Sequence, residues 1–357
     1  MSRILWISSG LALLLSLLTG VLFAQEIAAK PHYVVLPAKL RNDVAAPQTP
    51  SLQSWNGSFT YGGNTYTYNM VGADPSTNTS ATITTYIIPV KIVVGPRKVT
   101  FDPSHLLSNH KSVTANTLAS PIFDATTTYT QGGVDVGTTQ YIDAFQRANF
   151  WGEVATNPNS HLLLNPVVLP EQTLTPPSGS GSIGLVFGFP AGLVDINWFD
   201  AQVPNLISSL GITPDTFPIF LTYDVYLTSG GGCCIGGYHS SEGNVSNLQS
   251  YAHATYIDRK GKFAQDVSAL SHEVGEWADD PLTVNYNGNN TPCGILEVGD
   301  PLEGNANYGG YKYVLNGFTY NLQDLVTLPY FGAPPSTSVN DWSTFQGEKL
   351  GVCQNGS

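Results

Sequence analysis

Charged residues are scarce in this chain. They make up 11% of its 357 residues, whereas ordinary globular proteins contain about 25%. Basic residues are the scarcest, with 14 Lys and Arg against 26 Asp and Glu and a formal net charge of −12. A nucleic-acid partner requires a basic patch that contacts phosphates, so this composition argues against that class of function. Ser, Thr, Asn, Gly and Tyr fill the polar positions instead, which is typical of an extracellular protein rich in strands.

The sequence also lacks the signatures of several common enzyme classes. It contains no G-x-S-x-G nucleophile motif, no phosphate-binding P-loop and no dinucleotide-binding fingerprint. After the N-terminal segment there is no second apolar run of membrane-spanning length. We therefore expect no stable membrane association once that segment has been removed.

The N-terminal segment has the layout of a secretory signal peptide. Residues 4–24 are almost wholly apolar and follow a single basic residue, Arg3. The run is also long enough to be an uncleaved membrane anchor, but no stop-transfer pattern follows it. We predict a signal peptide over 1–24 and a secreted protein. The Pro- and Ala-rich residues 25–52 are predicted to form an N-terminal arm or pro-segment.

The four cysteines suit an oxidising compartment outside the cytoplasm. Cys233, Cys234, Cys293 and Cys353 all lie in the last third of the chain, and three pairings are possible. A bond between the adjacent Cys233 and Cys234 would be strained. We therefore expect disulfide bonds that join the glycine-rich loop at 229–237, the segment around Cys293 and the C-terminus.

Alternating and β-branched runs predict strands over much of the chain, and helical periodicity predicts a few helices. The strand-like runs include 57–70, 81–94 and 217–232. The helix-like segments are 139–151, 195–211 and 265–280. Asn316-Gly317 lies between two alternating runs and predicts a tight hairpin with a type I′ turn.

The helix predicted over 265–280 contains the clearest candidate site, in the sequence SHEVGEWADDP. Asp266 is placed to cap its start, and Pro281 is expected to end it. One face repeats apolar residues at intervals of three and four and is expected to be buried. These residues are Val267, Leu270, Val274 and Trp277.

His272, Glu273 and Glu276 form the motif H-E-x-x-E, which differs at one position from the H-E-x-x-H of zinc peptidases. Side chains four residues apart on a helix converge, so His272 and Glu276 can hold one metal ion. Glu273 would then act as general base on the metal-bound water. A third ligand must come from elsewhere, and the downstream sequence ILEVGDP supplies either Glu297 or Asp300.

The glutamate at position 276 leaves the identity of the metal open. Zinc accepts carboxylate ligands, but one imidazole and two carboxylates also suit manganese, iron or calcium. We predict Zn²⁺ as the cofactor, with another divalent ion as the alternative. Asp300 is expected to be a further ligand or to orient His272. His239, in GGYHSSEG, is a candidate for the missing imidazole or for a donor that stabilises the oxyanion.

Other polar residues near the motif are given ordinary structural roles. Asp279 and Asp280 are expected at a solvated helix end, and Glu303 is treated as a surface charge. His253 alternates in a strand and is expected to pack or to lie on the surface. Cys293 is assigned to a disulfide bond, because a nucleophilic cysteine would need a free thiol and a nearby base.

The stretch LSHEVGEWADDPL…CGILEVGDPLEG, with GGYHSSEG upstream, resembles a group of uncharacterised secreted bacterial proteins. YTYNMVGADP and IIPVKIVV are similar to the same group, so this resemblance extends over most of the chain. Over roughly 230–305, H-E-x-x-E followed by E-V-G-D also resembles the plant phosphate-induced (exordium-like) proteins. The resemblance implies a zincin-like metal site with the ligands and the base already named, and it implies no particular reaction.

Together these patterns predict an α+β fold. A β-rich half over 53–180 is expected to pack on a zincin-like half over 181–357, which contains the metal-binding helix. The predicted function is that of a secreted metal-dependent hydrolase, a metallopeptidase whose substrate is a peptide or protein. The alternative is a non-catalytic extracellular protein that binds a glycan or a cell-wall partner and holds a structural metal or none. The oligomeric state is left open.

Overall fold

The computed structural model describes residues 27, 29–40, 51–244, 246–284, 290–334 and 338–353. The predicted signal peptide over 1–24 lies outside these ranges. Across the described residues, the structure contains no helix with the length and apolar character needed to cross a membrane.

Strands are distributed along the whole described chain. They are β1 (Ala29–Val35), β2 (Lys39–Leu40), β3 (Ser54–Tyr61), β4 (Asn64–Val71), β5 (Ser80–Val94), β6 (Val99–Phe101), β7 (Thr127–Gln131), β8 (Val134–Thr139), β9 (His161–Val168), β10 (Gln172–Leu174), β11 (Gly181–Val186), β12 (Phe189–Asp195), β13 (Phe217–Tyr223), β14 (Val225–Ser229), β15 (Gly232–Asn244), β16 (Asn247–Tyr256), β17 (Gly310–Leu315) and β18 (Phe318–Gln323). The helices are α1 (Val113–Leu118), α2 (Tyr141–Asn149), α3 (Trp151–Val154), α4 (Ile196–Asp200), α5 (Val203–Ser209) and α6 (Ser268–Asp279).

Twelve of these strands form one curled mixed sheet. Its main path runs β10-β5-β13-β16-β15-β14-β12-β11, with β1 and β2 paired to β15 and with β6 and β9 paired to β5. β13 (FPIFLTY) is buried along its whole length because parallel partners, β5 and β16, lie on its two sides. The hairpins β3–β4, β7–β8 and β17–β18 form separate two-stranded sheets.

The expected α+β fold with a zincin-like half is wrong. The structure is mostly β, with 43% strand and 18% helix, and its helices are short. Strands β11 to β16, from the range expected to be zincin-like, share one sheet with β5 and β9 from the range expected to be only β-rich. The physical reason is pairing between distant segments, which local periodicity does not reveal.

The helices and turns were predicted with more success than the architecture. The segment 139–151 contains α2, whereas 195–211 is divided into α4 and α5 by a break at Ala201-Gln202. The hairpin at Asn316-Gly317 is confirmed, and both residues have the positive φ angles, 51° and 79°, that a type I′ turn requires.

The α6 helix packs on one face of the sheet and is buried throughout. Its Trp277 ring stacks on Phe217 with 3.7 Å between centroids, and the indole Nε1 donates to Ser250 Oγ at 3.0 Å. The expected cap takes a different form. The carboxylate of Asp266 accepts from the next backbone N–H at 2.6 Å and from that of Asn321 at 2.8 Å, so it joins the start of α6 to β18.

Both disulfide bonds fall within the described residues. Cys293 is bonded to Cys353, which confirms that the C-terminus is tied to the segment around Cys293. Cys233 is bonded to its neighbour Cys234 at the start of β15. The expected disulfide bond between the glycine-rich loop and Cys293 or Cys353 is therefore wrong. Cys233 and Cys234 are both buried in the core on β15 and are bonded to each other.

Candidate metal centre

Polar side chains from three segments of the chain meet at one place. The segments are α6, β15 and the residues 297–300 that follow Cys293. The structure brings together all six residues proposed from the sequence: His239, His272, Glu273, Glu276, Glu297 and Asp300.

The first group of ligand atoms surrounds the imidazole of His272. Its Nε2 lies 3.0 Å from Glu276 Oε1 and 3.6 Å from Asp300 Oδ1. The backbone N–H of Gly299 donates to the same Glu276 oxygen at 3.1 Å and fixes the orientation of that carboxylate. These three side chains can each offer one atom to a shared metal ion.

A second group lies on the other side of Glu276. His239 Nδ1 is 3.4 Å from Glu273 Oε2 and 3.8 Å from Glu276 Oε2, and these three residues could also share an ion. The other ring nitrogen of His239 is 3.9 Å from Glu297 Oε1. Glu276 therefore stands between the two imidazoles. The two candidates for the third ligand divide between the groups, with Asp300 near His272 and Glu297 near His239.

Two glycines make room for these side chains. A Cβ atom at Gly237 would lie 2.5 Å from Glu273 Oε1, and one at Gly299 would lie 2.3 Å from His272 Nδ1. Neither distance is possible for non-bonded atoms, so each glycine allows backbone to approach a side chain of the centre. The glycines in GGYHSSEG and EVGDP therefore have a steric role in shaping the centre.

The centre concentrates negative charge in a buried place. Burial, reinforced by neighbouring carboxylates, raises the pKa values of Glu273, Glu276 and Glu297 well above their usual range. Burial lowers the pKa of His239 to about 3 and that of His272 to about 4, so both imidazoles are neutral at pH 7. Within the described chain, the ion-pair partners of these carboxylates are histidines and not Lys or Arg.

Several polar atoms of the centre are buried without a hydrogen-bond partner among the described residues. They are His239 Nε2, both ring nitrogens of His272, Glu273 Oε1, both carboxylate oxygens of Glu297 and Asp300 Oδ1. Buried polar atoms are normally satisfied, so a cluster of orphaned ones calls for an explanation such as a bound ion. A divalent cation among them would satisfy the ligand atoms and offset their charge.

The donor set fits a divalent metal. Imidazole nitrogen and carboxylate oxygen are ligands for Zn²⁺, and the same set suits Mn²⁺ or Fe²⁺. The Asp300 side chain is 37% exposed, although the Oδ1 that faces His272 is buried. His239, His272 and Glu273 are fully buried, so Asp300 is the most exposed of the six side chains.

The structure corrects the expectation for Asp279 and Asp280 and shows which of the two expected positions His253 has. Asp279 and Asp280 are buried and not at a solvated helix end. Asp279 Oδ1 accepts from Gln146 Nε2 at 2.7 Å, a partner 133 positions away on α2 that the sequence could not indicate. His253 packs in the interior, and its Nε2 lies 3.0 Å from Thr222 Oγ1.

Two residues close to the centre were missed by the sequence analysis. Tyr33 of β1 stacks its ring on the His272 imidazole with 3.8 Å between centroids. Glu303 accepts a hydrogen bond from the backbone N–H of Tyr33. Burial and the nearby Asp300 raise the pKa of Glu303 to about 8. The three acidic residues in EVGDPLEG could have indicated that Glu303 lies near the centre. No pattern in the sequence around Tyr33 indicates that it does.

Replacing Gly299 by alanine should weaken metal binding by about 10- to 100-fold, the range for groups that hold a ligand in place. The added methyl group would displace the His272 ring, since the two cannot occupy the same space. The measurement is a Zn²⁺ titration against a competing chelator. Gly304→Ala is the matched control, because a Cβ there meets nothing within 4 Å. Equal affinities in the two variants would contradict the role given to Gly299.

Comparison with known proteins identifies no relative of this chain. No family model, no curated protein and no solved structure matches the chain. The geometry of the centre and the chemistry of its residues are therefore the basis for a function.

Proposed function

We propose that this protein is a metal-dependent hydrolase that cleaves peptide bonds. The observation that supports the proposal is the convergence of two imidazoles and three carboxylates around the carboxylate of Glu276, with buried ligand atoms that lack hydrogen-bond partners. A purely structural cluster of this kind would leave several buried polar atoms without partners. A bound divalent cation would remove that cost and supply the chemistry.

The six residues divide into proposed metal ligands and residues proposed to act on the bound water or the substrate. His272, Glu276 and Asp300 would hold the ion on the side of the partly exposed Asp300, with Glu297 on the other side near His239. We propose Zn²⁺, with Mn²⁺ or Fe²⁺ as alternatives that suit the same donors. When bound, the ion would polarise the scissile carbonyl and lower the pKa of a bound water molecule.

Glu273 is proposed as the general base. It is fully buried, and its Oε1 has no hydrogen-bond partner in the described structure. A carboxylate at this position could accept a proton from water and then deliver it to the leaving amine. His239, neutral and 3.4 Å from Glu273, is placed to orient this carboxylate, and its unpartnered Nε2 is available to a ligand or an oxyanion.

A second candidate function is supported by the burial of the centre. His272 lies beneath the Tyr33 ring, and an ion held there would be covered on that side. This arrangement suits a structural ion in a non-catalytic extracellular protein that binds a glycan or a cell-wall partner. Secretion itself remains a proposal, supported by the two disulfide bonds and by the apolar N-terminal sequence.

Elemental analysis of the purified protein, followed by incubation with a peptide library, tests the proposal. We expect a stoichiometric divalent ion, and peptide products that disappear on chelation and return when Zn²⁺ is restored. Absence of a stoichiometric ion would overturn both candidates. An ion without any peptide product would overturn the hydrolase and favour the structural-ion alternative.

A further inference from the structure

The segment 29–40 of the chain lies along the strand that carries His239. β14 pairs with residues 232–235 of β15 and β16 with residues 237–244, and in both stretches the segment 29–40 lies on the opposite side, called here the outer edge of β15. β1 pairs with β15 in parallel, and its register runs from Ala29 opposite Cys233 to Val35 opposite His239. Just after β1, the backbone N–H of Leu36 donates to His239 O at 3.1 Å. An extended polypeptide therefore already fits along this edge and ends beside the candidate centre.

One side chain of the segment enters the centre. Tyr33 is the buried residue of β1, and its ring lies between the His272 imidazole and Phe263, whose centroid is 4.8 Å away. The floor of this pocket is Gly236, where a Cβ atom would approach the Tyr33 ring to 2.9 Å. Glu303 accepts from the Tyr33 backbone N–H. The pocket thus fits a planar aromatic side chain on an extended backbone.

The segment is attached to the protein by few elements. Among the described strands, β1 and β2 each pair with β15 alone, and the other residues of β1 are partly or fully exposed. Beyond β1, Lys39 forms an ion pair with Asp200 and lies 5.5 Å above the ring centroid of Tyr251. Between them, the backbone N–H of Ala38 donates to Thr283 O at 3.4 Å, and Val34 and Leu36 are partly buried against the core. Elements with one strand partner and mostly half-buried residues open at a lower free-energy cost than the fully buried core strands.

We propose that the outer edge of β15 and the pocket of Tyr33 form a groove for an extended polypeptide with an aromatic side chain, and that residues 29–40 occupy this groove until a peptide displaces them. Addition of a strand to a sheet edge provides backbone hydrogen bonds for affinity, and the pocket provides selectivity. The inference rests on the proposed function for the identity of the peptide as a substrate. Binding in the groove does not require hydrolysis.

A tethered occupant competes strongly with a free peptide. An occupant joined to its site by a short stretch of chain has an effective concentration of the order of millimolar. A free peptide with micromolar intrinsic affinity would therefore bind about 1,000-fold more weakly while the tethered segment is in place. Weakening the contacts of Tyr33 and Lys39 should remove much of this competition.

The test measures binding of a fluorescent peptide with the sequence AKPHYVVLPAKL, that of residues 29–40, to the full chain after chelation of metal. The Tyr33→Ala/Lys39→Ala variant should bind this peptide at least about 10-fold more tightly than the wild type. A peptide in which alanine replaces the tyrosine should not bind. Lys312→Ala, which removes an exposed lysine on β17 outside the groove, is the control and should bind the peptide as the wild type does.

Equal peptide affinities in the double variant and the wild type would overturn the proposal, and so would equal binding of the peptide without tyrosine. If the double variant does not fold, hydrogen exchange of the wild type decides. Excess peptide should then increase exchange of the amides of residues 29–36 while those of 237–243 stay protected, and unchanged protection of 29–36 would overturn the groove.

Peptide binding without hydrolysis would refute the proposed function alone. Hydrolysis with equal peptide affinities would refute the groove alone.

Discussion

Replacing Glu273 by glutamine should reduce peptide hydrolysis by about 10³-fold, within the range that a general base contributes. The amide has the same shape as the carboxylate and fits the space that Gly237 leaves, but it cannot accept the proton of the attacking water. The fold and the bound metal should therefore be retained. Initial rates on the best library peptide, with metal content measured on the same samples, provide the check.

Asp279→Asn is the matched control for this variant. It makes the same change from carboxylate to amide at another buried position of α6, where the partner is Gln146 and not the centre. We expect its hydrolysis rate to stay within a few-fold of the wild type. A Glu273→Gln protein that retains full activity would exclude Glu273 as the base. A similar loss in both variants would mean that the buried charge acts on the structure of the helix.

Replacing His272 by glutamine should weaken Zn²⁺ binding by more than about 100-fold, because it removes a ligand and not merely a group that orients one. The imidazole is one of three side chains that converge on the Asp300 side of the centre. Chelator competition gives the affinity, and elemental analysis gives the stoichiometry. Unchanged affinity would exclude His272 as a ligand and place the ion on the His239 side.

His253→Gln is the control for the loss of a buried imidazole. His253 is as buried as His272, but it belongs to β16 and contacts Thr222 and Phe199, with a ring-centroid distance of 4.7 Å to the latter. Its replacement should lower the free energy of unfolding and leave metal affinity unchanged. Loss of metal affinity in both variants would show that the centre responds to any destabilisation of the sheet.

The candidate site was largely predictable from the sequence because its residues lie in short motifs. A helix brings His272 and Glu276 together whatever surrounds it, and the E-V-G-D sequence supplies further acids. His239 was identified only as a possibility, since its approach to Glu273 depends on the packing of β15 against α6. The periodicity of the chain also predicted α2 and α6.

The architecture was not predictable in the same way. Pairing of β5 with β9 and β13 joins segments that are far apart in the sequence, and local patterns describe a strand without naming its neighbour. The same limit applies to single residues. Tyr33 meets Glu303 across 270 positions, and Asp279 meets Gln146 across 133. A residue that looks like a surface charge in the sequence can therefore be buried by a distant partner.

The position of β1 has a consequence for solubility. The outer edge of β15 belongs to a twelve-stranded sheet, and β1 with β2 covers its unpaired backbone groups. An uncovered edge of this kind is a template for pairing with strands of other chains, which leads to aggregation. Release of residues 29–40 would thus expose the protein to self-association at the same step at which it opens the groove. Any variant that opens this edge is best handled at low protein concentration.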